Sequence, residues 1–427
     1  MEILLLYCSD YNVARFGKNR KEFPPLGVLY LAAACEKEGI NVSVKDLATI
    51  GIGEIPSFNI IGISINTSYI YPSFKHRIDE IKAKCRLIFV GGQHASIYPY
   101  ETLTELNADY LMIGEGEFTL PALINECYKN AFSKDIDYIE NAYCVTNIDK
   151  AAYSETSRIK NLDLIPFPAR HLLPKEDILL QKRIPSYDIL STTVITSRGC
   201  PYGCQFCGNL YKGFSFRSAE NVRKEIDNIK MQYQEIQGIV FLDENLFFNK
   251  NHALEIIDCM KSLKLKWTCN ARVDGFTQEI LPYAKDSGCV EIKYGIESGS
   301  QKILDLMNKR VSIQIMERTL KETIRNGIRT KCFLMYGFPG DDEDSAKATI
   351  AFLNRNKKNI NRVNLFSFTP VPNSPIYNRK ICKEYSWEDY KIYYQLRHWW
   401  GSGKQYKSII NGYNLLKKYV NENYGEN

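Results

Sequence analysis

Three cysteines, Cys200, Cys204 and Cys207, stand in a C-x3-C-x2-C spacing within the stretch 198–207, Arg-Gly-Cys-Pro-Tyr-Gly-Cys-Gln-Phe-Cys. A loop this short turns three sulfurs toward one point. Three thiolates suit iron–sulfur chemistry better than zinc, whose structural sites normally take four protein ligands. A zinc knuckle needs a nearby fourth Cys or His, and residues 192–220 offer none. A cubane held by three cysteines leaves one iron without a protein ligand, open to a substrate or cofactor.

These cysteines must be positioned by the elements around them. The run 192–196 has strand character, and further strands are expected at 238–242, 266–270, 290–295, 331–336 and 363–368. Helical patterns fall between them, at 219–234, 253–263, 278–287, 313–326 and 344–357. Six strand–helix units imply a partial α/β barrel, with chemistry at the carboxyl ends of its strands. Cys200 lies just past the first strand. The later strand ends carry Asp243, Glu244 and Asn245, then Asn270, Arg272 and Asp274, then Glu297 and Ser298, then the turn from Gly337 to Asp341. Polar groups at the rim of an apolar barrel need partners. A zwitterionic nucleoside cofactor supplies both signs: a carboxylate can accept from ribose hydroxyls or an α-ammonium, and an arginine can hold an α-carboxylate. Solvated loops and helix caps are the bland alternatives, Ser298 or Ser300 as an N-cap among them.

The first third also alternates. Strands are expected at 2–8, 42–47, 59–65, 86–90 and 109–113, with helices at 26–37, 73–84 and 117–129, which implies a parallel, doubly wound sheet. Ligands on such sheets bind beyond the carboxyl ends of the strands, here 64–68, 91–95 and 114–117. Gly91 and Gly92 let backbone approach a cofactor closely. Residues 130–182 carry Pro166, Pro168 and Pro174 and read as an ordered connector.

Cys200, Cys204 and Cys207, with Phe206 before the last of them, resemble the signature of the radical S-adenosylmethionine superfamily. The resemblance implies a 4Fe–4S cluster whose unique iron chelates S-adenosylmethionine, reductive cleavage to a 5′-deoxyadenosyl radical, and Phe206 against the adenine. It also implies cofactor contacts from Asp243-Glu244, from Glu297 and Ser298 near methionine and ribose, and from Gly337 and Gly340 near adenine; Arg272 is a further candidate. Upstream, Pro24-Pro25-Leu26-Gly27, Gly91-Gly92-Gln93-His94-Ala95 and Gly114-Glu115-Gly116-Glu117 resemble the cobalamin-binding domain that precedes the barrel in one large class of these enzymes. The likeness covers residues 1 to about 380. It implies cobalamin held by Ser64, Thr67, Gly91, Gly92, Gly114 and Glu115, without protein imidazole on cobalt. The D-x-H-x-x-G motif is absent, and His94 reads as a hydrogen-bonding residue. Asn373-Ser374 stands where Gly-Thr is common in the family.

The fold expected is therefore α/β: an N-terminal Rossmann-like, flavodoxin-like parallel sheet domain (1–130), a connector (131–190), a partial (β/α)6 radical S-adenosylmethionine barrel (191–385) and a short helical C-terminal cap (386–427). The function expected is cleavage of S-adenosylmethionine and cobalamin-dependent methylation of an unactivated carbon of a small molecule or peptide. Radical dehydration, oxidation or cyclisation, with a vestigial cobalamin domain, is the alternative. An iron–sulfur electron-transfer or carrier protein is a third reading. Cys269, Cys332, Tyr294 and Tyr336 are candidate hydrogen-atom donors into the barrel; the remaining thiols read as buried small hydrophobes. A reducing protein such as flavodoxin or ferredoxin is implied as electron source.

Composition bounds the rest. A chain of 427 residues suggests two domains, each with its own core. A formal charge of +6 with scattered lysines and arginines reads as a solvated surface rather than a nucleic-acid site. Thirteen cysteines without a signal peptide point to reduced thiols in the cytoplasm. No apolar run approaches the roughly 20 residues a membrane span needs.

Overall fold

The strand Glu2–Tyr7 (β1) reads Glu-Ile-Leu-Leu-Leu-Tyr, and Ile3 to Leu6 are all buried. A run buried on both faces belongs inside a parallel sheet, and the chain builds one around it. The structure, a computed structural model, describes residues 1–9, 23–132, 139–153, 158–184, 187–209, 213–377, 386–387, 396, 399–400 and 403–425. It divides into two units: 1–180 with 210–213 and 385–391, and 181–209 with 214–384 and 392–427.

In the first unit β2 (Asn41–Asp46), β1, β3 (Phe58–Ser64), β4 (Cys85–Gly91), β5 (Tyr110–Met112) and β6 (Ala142–Tyr143) lie side by side in that order. The first five are parallel and β6 is antiparallel to β5. This is the flavodoxin-like order, with its switch point between β1 and β3. Helices Leu26–Lys37 and Thr119–Lys129 close one face, packing Val28, Ala32, Leu123 and Ile124 onto Ile3, Leu5, Leu87 and Phe89. Each of the larger of these side chains, fully buried, contributes roughly 1.5–3 kcal/mol. The helix expected at 73–84 is broken into Tyr71–Lys75 and Ile78–Lys82. Arg77 leaves the helical conformation between them and donates to the Leu47 carbonyl at 2.9 Å.

The second unit holds a curled sheet. Its central strands run β8 (Leu190–Val194), β11 (Gly238–Phe241), β12 (Lys266–Ala271), β13 (Cys289–Glu297), β14 (Arg329–Tyr336) and β15 (Arg362–Ser367), all parallel, with the two-residue β7 (Leu180–Gln181) beside β8. These are the six expected strands. A two-stranded antiparallel ribbon, β9 (Ser197–Gly199) with β10 (Phe214–Phe216), stands apart from the sheet and was not expected.

Helices coat the convex face. Trp267 of β12 donates through Nε1 to the Ser287 carbonyl at 3.2 Å, at the end of helix Thr277–Asp286. Tyr294 of β13 bonds through its hydroxyl to Thr323 Oγ1 at 2.8 Å, on helix Ile313–Arg325. Helix Glu343–Arg355 starts with a capping box between Asp342 and Ser345. The C-terminal helix Gly403–Tyr424 packs against it. Gly412 lets that helix close on β14, since a Cβ there would lie 2.0 Å from the Tyr336 hydroxyl. Of the aromatic residues of the expected cap, Tyr390, Tyr393, Tyr394 and His398 lie outside the described residues.

Candidate active site

The three cysteines lie on the loop that joins β9 to β10, just beyond the carboxyl end of β8. Cys204 is buried, Cys200 half-buried and Cys207 exposed. The loop is held from distant parts of the unit. Gln205 N donates to the Met307 carbonyl at 2.9 Å, and Asn308 Nδ2 donates to the Gly203 carbonyl at 2.7 Å. Ile376 N donates to the Gln205 carbonyl at 3.1 Å.

Each sulfur is faced by an N–H donor or cation suited to a thiolate. Arg272 Nη1 reaches Cys204 Sγ at 3.7 Å. Desolvation pushes the Cys200 and Cys207 thiols above the ordinary cysteine range; the backbone N–H groups of Tyr202 at Cys200 and Asn209 at Cys207 pull the other way. That donor set fits a cluster whose thiolates must be formed and kept. Among the described residues no three His, Cys, Asp or Glu side chains surround a single metal ion; a cubane places each cysteine sulfur on a different iron, so its ligands need not converge.

Arg272 is fully engaged within the protein. Its Nε and Nη2 both donate to the Asp274 carboxylate at 2.8 Å, Nη2 also donates to the Lys309 carbonyl at 2.6 Å, and the Tyr202 ring covers it at 3.9 Å. The structure thus gives it a role at the cysteine loop instead of the expected clamp on a cofactor carboxylate.

Asp243 is likewise turned inward. It is 1% exposed, and its carboxylate accepts from Thr196 N at 3.1 Å, Thr196 Oγ1 at 2.8 Å and Ser197 Oγ at 2.6 Å. It ties the end of β8 to the start of the ribbon, while its neighbour Glu244 is exposed and close enough to Cys200 and Cys207 to raise their pKa. Of the expected acidic pair, Glu244 is the one that faces the cysteines.

Glu297 has a left-handed backbone, φ 64°, a conformation that costs roughly 1–3 kcal/mol outside glycine. A bulge between Gly295 and Glu297 accompanies it. The twist brings the carboxylate back over Gly295, where a Cβ would fall 2.5 Å from Glu297 Oε1. Lys309 Nζ donates to Glu297 Oε1 at 2.8 Å and stands 5.7 Å from the Phe206 ring centre. Glu297, Lys309 and Phe206 therefore come together beside the cysteine loop. Ser298 does not join them: its hydroxyl accepts from Ser300 N at 3.1 Å and meets Thr349 Oγ1 at 3.4 Å, a capping role. Gly337 and Phe338 donate their N–H groups to Asp341 Oδ2, both at 2.9 Å, and Trp400 Nε1 donates to the Gly337 carbonyl at 2.6 Å. Gly340, at φ 103°, packs on Leu306, whose Cδ1 would lie 2.4 Å from an added Cβ.

In the first unit the strand ends also converge. Ile65 N donates to the Gly91 carbonyl at 2.9 Å, and His94 N donates to the Ile65 carbonyl at 3.0 Å. Gly92, at φ 102°, sits where a Cβ would meet the Ile65 carbonyl oxygen at 2.6 Å. This glycine therefore lets the 92–94 loop pack on the backbone of Ile65. Gly91 stands over Met112 and Gly114 N donates to Ser96 Oγ at 3.0 Å. Ser64 donates to Asn66 Oδ1 at 3.2 Å, and Thr67 is half-buried on the same rim. Glu115 is turned away to the connector, accepting from Ile159 N at 2.5 Å beside Arg158. His94 is enclosed: 2% exposed, bonded through Nδ1 to Ser68 Oγ at 2.9 Å and stacked on Tyr71 at 4.5 Å. Burial holds its pKa down to about 3, so the ring is neutral and packed, as a hydrogen-bonding residue should be.

Residues 194–353 match the model of the radical SAM superfamily, and residues 14–124 match that of the B12 binding domain. An uncharacterized methyltransferase of Pyrococcus horikoshii is 30% identical over 84% of this chain and 79% of its own length. The chain belongs to the cobalamin-dependent radical S-adenosylmethionine methyltransferase family. A further relative, the cytidylyl-2-hydroxyethylphosphonate methyltransferase of Streptomyces wedmorensis, is 24% identical over 74% of this chain and 69% of its own. The solved radical S-adenosylmethionine methyltransferase TsrM from Kitasatospora setae superposes with a TM-score of 0.66 at 16% identity, covering 90% of this chain and 76% of that one, and shows the shared fold. The family's cofactors are a 4Fe–4S cluster, S-adenosylmethionine and cobalamin. Among the described residues no helix is long and apolar enough to cross a membrane.

Four candidate hydrogen donors fall on the wrong side of the sheet. Tyr294 points to the helix layer through Thr323. Register and alternation place Cys269 and Cys332 on that same face, and Tyr336 bonds to the Asp342 carbonyl at 2.8 Å beneath the C-terminal helix. All four are at most 1% exposed, so none offers a hydrogen atom to a molecule in the bore. Conversely, Lys309, Asn308, Tyr202 and Met307 were not singled out from sequence. The available signal is that 307–310 follows the fourth strand's glycine turn by one short helix, Gln301–Leu306.

Proposed function

We propose that this family member transfers a methyl group to an unactivated carbon of a small molecule or peptide, using a reducing protein such as a flavodoxin or ferredoxin as electron source. The observation that carries the reading is the cysteine loop: three sulfurs at a barrel strand end, each faced by a donor or cation, in a chain that also carries a B12-binding domain. The bound cofactors supply what acid–base side chains lack, a radical that removes hydrogen from an inert C–H bond and a transferable methyl group.

The chain's own residues hold and orient. Cys200, Cys204 and Cys207 would ligate the cluster, and Arg272 holds Cys204 in place while donating to its sulfur. Glu244, exposed beside the cysteines, is placed to accept from an α-ammonium. Glu297, fixed by Lys309, is placed to accept from ribose hydroxyls or the ammonium, and Phe206 offers an apolar face to a base. Asp243 sets the junction of strand and ribbon that leads to the cysteines, and Asp341 sets the turn of Gly337 and Phe338. In the first unit the rim of Ser64, Thr67, Gly91, Gly92 and Gly114 is the candidate corrinoid seat, and with His94 enclosed the reading is of cobalt without a protein imidazole.

Anaerobically reconstituted protein given reductant and S-adenosylmethionine should release 5′-deoxyadenosine. With hydroxocobalamin it should retain a corrinoid absorbance band, and with substrate it should form S-adenosylhomocysteine. Deoxyadenosine without corrinoid retention would sink methyl transfer and leave radical dehydration, oxidation or cyclisation. No cleavage with any candidate substrate would favour an iron–sulfur carrier.

A further inference from the structure

The concave face of the curled sheet carries charge that the roles above do not use. Tyr294 faces the helices, so Glu291 and Lys293, three and one residues before it, face the bore by strand alternation. Arg362 of β15 confirms this side. Its guanidinium reaches over the intervening β14 to Glu291, with Nε to Oε2 at 3.0 Å and Nη2 to Oε1 at 2.5 Å. Register puts Lys331 and Arg362 level with Lys293, and Arg329 level with Glu291.

Among the described residues Lys293, Lys331, Arg329 and Arg362 therefore stand on this part of the bore with Glu291. Glu291, 0% exposed, is spent on Arg362. Lys331 rests over the Phe333 ring at 5.0 Å. Among the described residues Lys293 makes neither a hydrogen bond nor an ion pair, and Arg329 Nε and Thr268 Oγ1 are buried without a partner. Thr268 is level with Glu291 on the neighbouring strand. Uncompensated cations and unpaired polar atoms in a half-buried wall are costly to a fold, and an anion relieves both. Beyond this layer, toward the cysteine end, Phe333 and Phe366 meet at 5.9 Å and give an apolar stretch.

We infer that the bore takes an anionic group of the methyl-accepting substrate, a carboxylate or a phosphorus oxyanion, with Lys293 as its central contact and Arg329 and Thr268 beside it. The inference rests on the methyltransferase reading and narrows it. The substrate is an acid whose anion lies deep in the bore, and whose apolar portion passes Phe333 and Phe366 so that the reacting carbon faces the rim that carries Glu297. Consistent with this, burial holds the Lys293 ammonium below the ordinary lysine pKa; Glu291 and Cys269 pull it up, while Arg362 and Arg183 push it further down. A bound anion supplies Lys293 with the ion-pair partner it does not have among the described residues.

The test is anion-dependent stabilisation of the anaerobic holoenzyme. Thermal midpoints are measured against rising methylphosphonate or malonate, with chloride at matched ionic strength as reference, for wild type, Lys293→Gln, Lys293→Arg and Arg329→Gln. The expected result is a rise in wild type that exceeds chloride, kept by Lys293→Arg and weakened at least tenfold in apparent affinity by Lys293→Gln. Arg329→Gln should weaken it as well, which keeps the test decisive if one variant fails to fold. A response to methylphosphonate alone identifies a phosphorus oxyanion, and a response to malonate alone a carboxylate. No rise beyond chloride overturns the inference. So does a rise that disappears when S-adenosylmethionine saturates the protein, because the cations would then hold the cofactor's own carboxylate. No turnover enters this titration: a missing S-adenosylhomocysteine signal would sink methyl transfer without touching the anion result, and a flat titration would leave methyl transfer standing.

Discussion

Replacing Asp243 separates two jobs that its position in an acidic pair had merged. The carboxylate is fully buried and accepts from three donors, Thr196 N, Thr196 Oγ1 and Ser197 Oγ. Asp243→Ala leaves all three facing a void. Hydrogen bonds to a charged group contribute about 1.5–3 kcal/mol each, and losses that share one acceptor do not add in full. Burial opposes this by raising the Asp243 pKa, since the charged form is desolvated. The expected net loss is about 3–5 kcal/mol, near the top of the range for one substitution. Asp243→Asn keeps one acceptor oxygen and turns an NH2 toward donors, so it should lose about half as much. The assay is urea unfolding of cluster-free protein, followed by iron and sulfide content after reconstitution. Because Asp243 ties β8 to the ribbon that carries the cysteines, cluster content should fall in step with stability. S-adenosylmethionine affinity, measured on the fraction that retains cluster, should be close to wild type. An Asp243→Ala protein as stable as wild type within about 0.5 kcal/mol, yet unable to bind S-adenosylmethionine, would refute the reasoning and return Asp243 to the cofactor.

Three further outcomes are expected. Cys200→Ala, Cys204→Ala and Cys207→Ala should each abolish the brown 4Fe–4S chromophore and S-adenosylmethionine cleavage, whereas Cys259→Ala, on a helix far from the loop in sequence, should keep both; a Cys204→Ala protein with full cluster content would remove it from the ligand set. Gly92→Ala forces a Cβ to within 2.6 Å of the Ile65 carbonyl oxygen at φ 102°, and should cost about 2–4 kcal/mol and corrinoid retention, read by urea unfolding and by absorbance after hydroxocobalamin loading. Asp341, whose pKa burial raises from 3.8 to about 7, keeps in the folded state a proton that the unfolded chain releases; stability from this group is full below pH 4 and is lost as pH rises toward 7, so the pH dependence of urea unfolding over that window should flatten in Asp341→Asn.

Much of the architecture was legible because strand and helix periodicities differ, and the alternation of apolar runs with amphipathic stretches survives without tertiary information. The C-x3-C-x2-C spacing was legible for the opposite reason: three ligands on one short loop need no distant partner to be recognised. What failed involved side-chain direction and long-range pairing. Cys269, Cys332, Tyr294 and Tyr336 lie on barrel strands, but a one-residue parity decides between bore and helix layer, and only register settles it. The double glycine marks a close backbone approach, but that Ile65 makes one at Gly92 is a long-range contact the sequence does not show. Arg272 and Asp243 looked like cofactor clamps and are held by Asp274, Lys309, Thr196 and Ser197. The ribbon of β9 and β10 escaped notice since three-residue strands carry too little pattern.

The stitching of the cysteine loop has a consequence for the order of assembly. Its ties come from Met307, Asn308 and Ile376, between about 100 and 170 residues downstream. Contacts of such separation form late, after the intervening chain has paid its loop-closure entropy. During synthesis the three thiols leave the ribosome well before the segments that fix their spacing exist. The loop cannot be a finished cradle at that stage, whereas the upstream sheet, complete by Tyr143, can already have folded. Iron and sulfide must therefore be delivered to a chain that extends at least to Ile376, and a truncation before Ile376 should lose the capacity to take up cluster even with all three cysteines present.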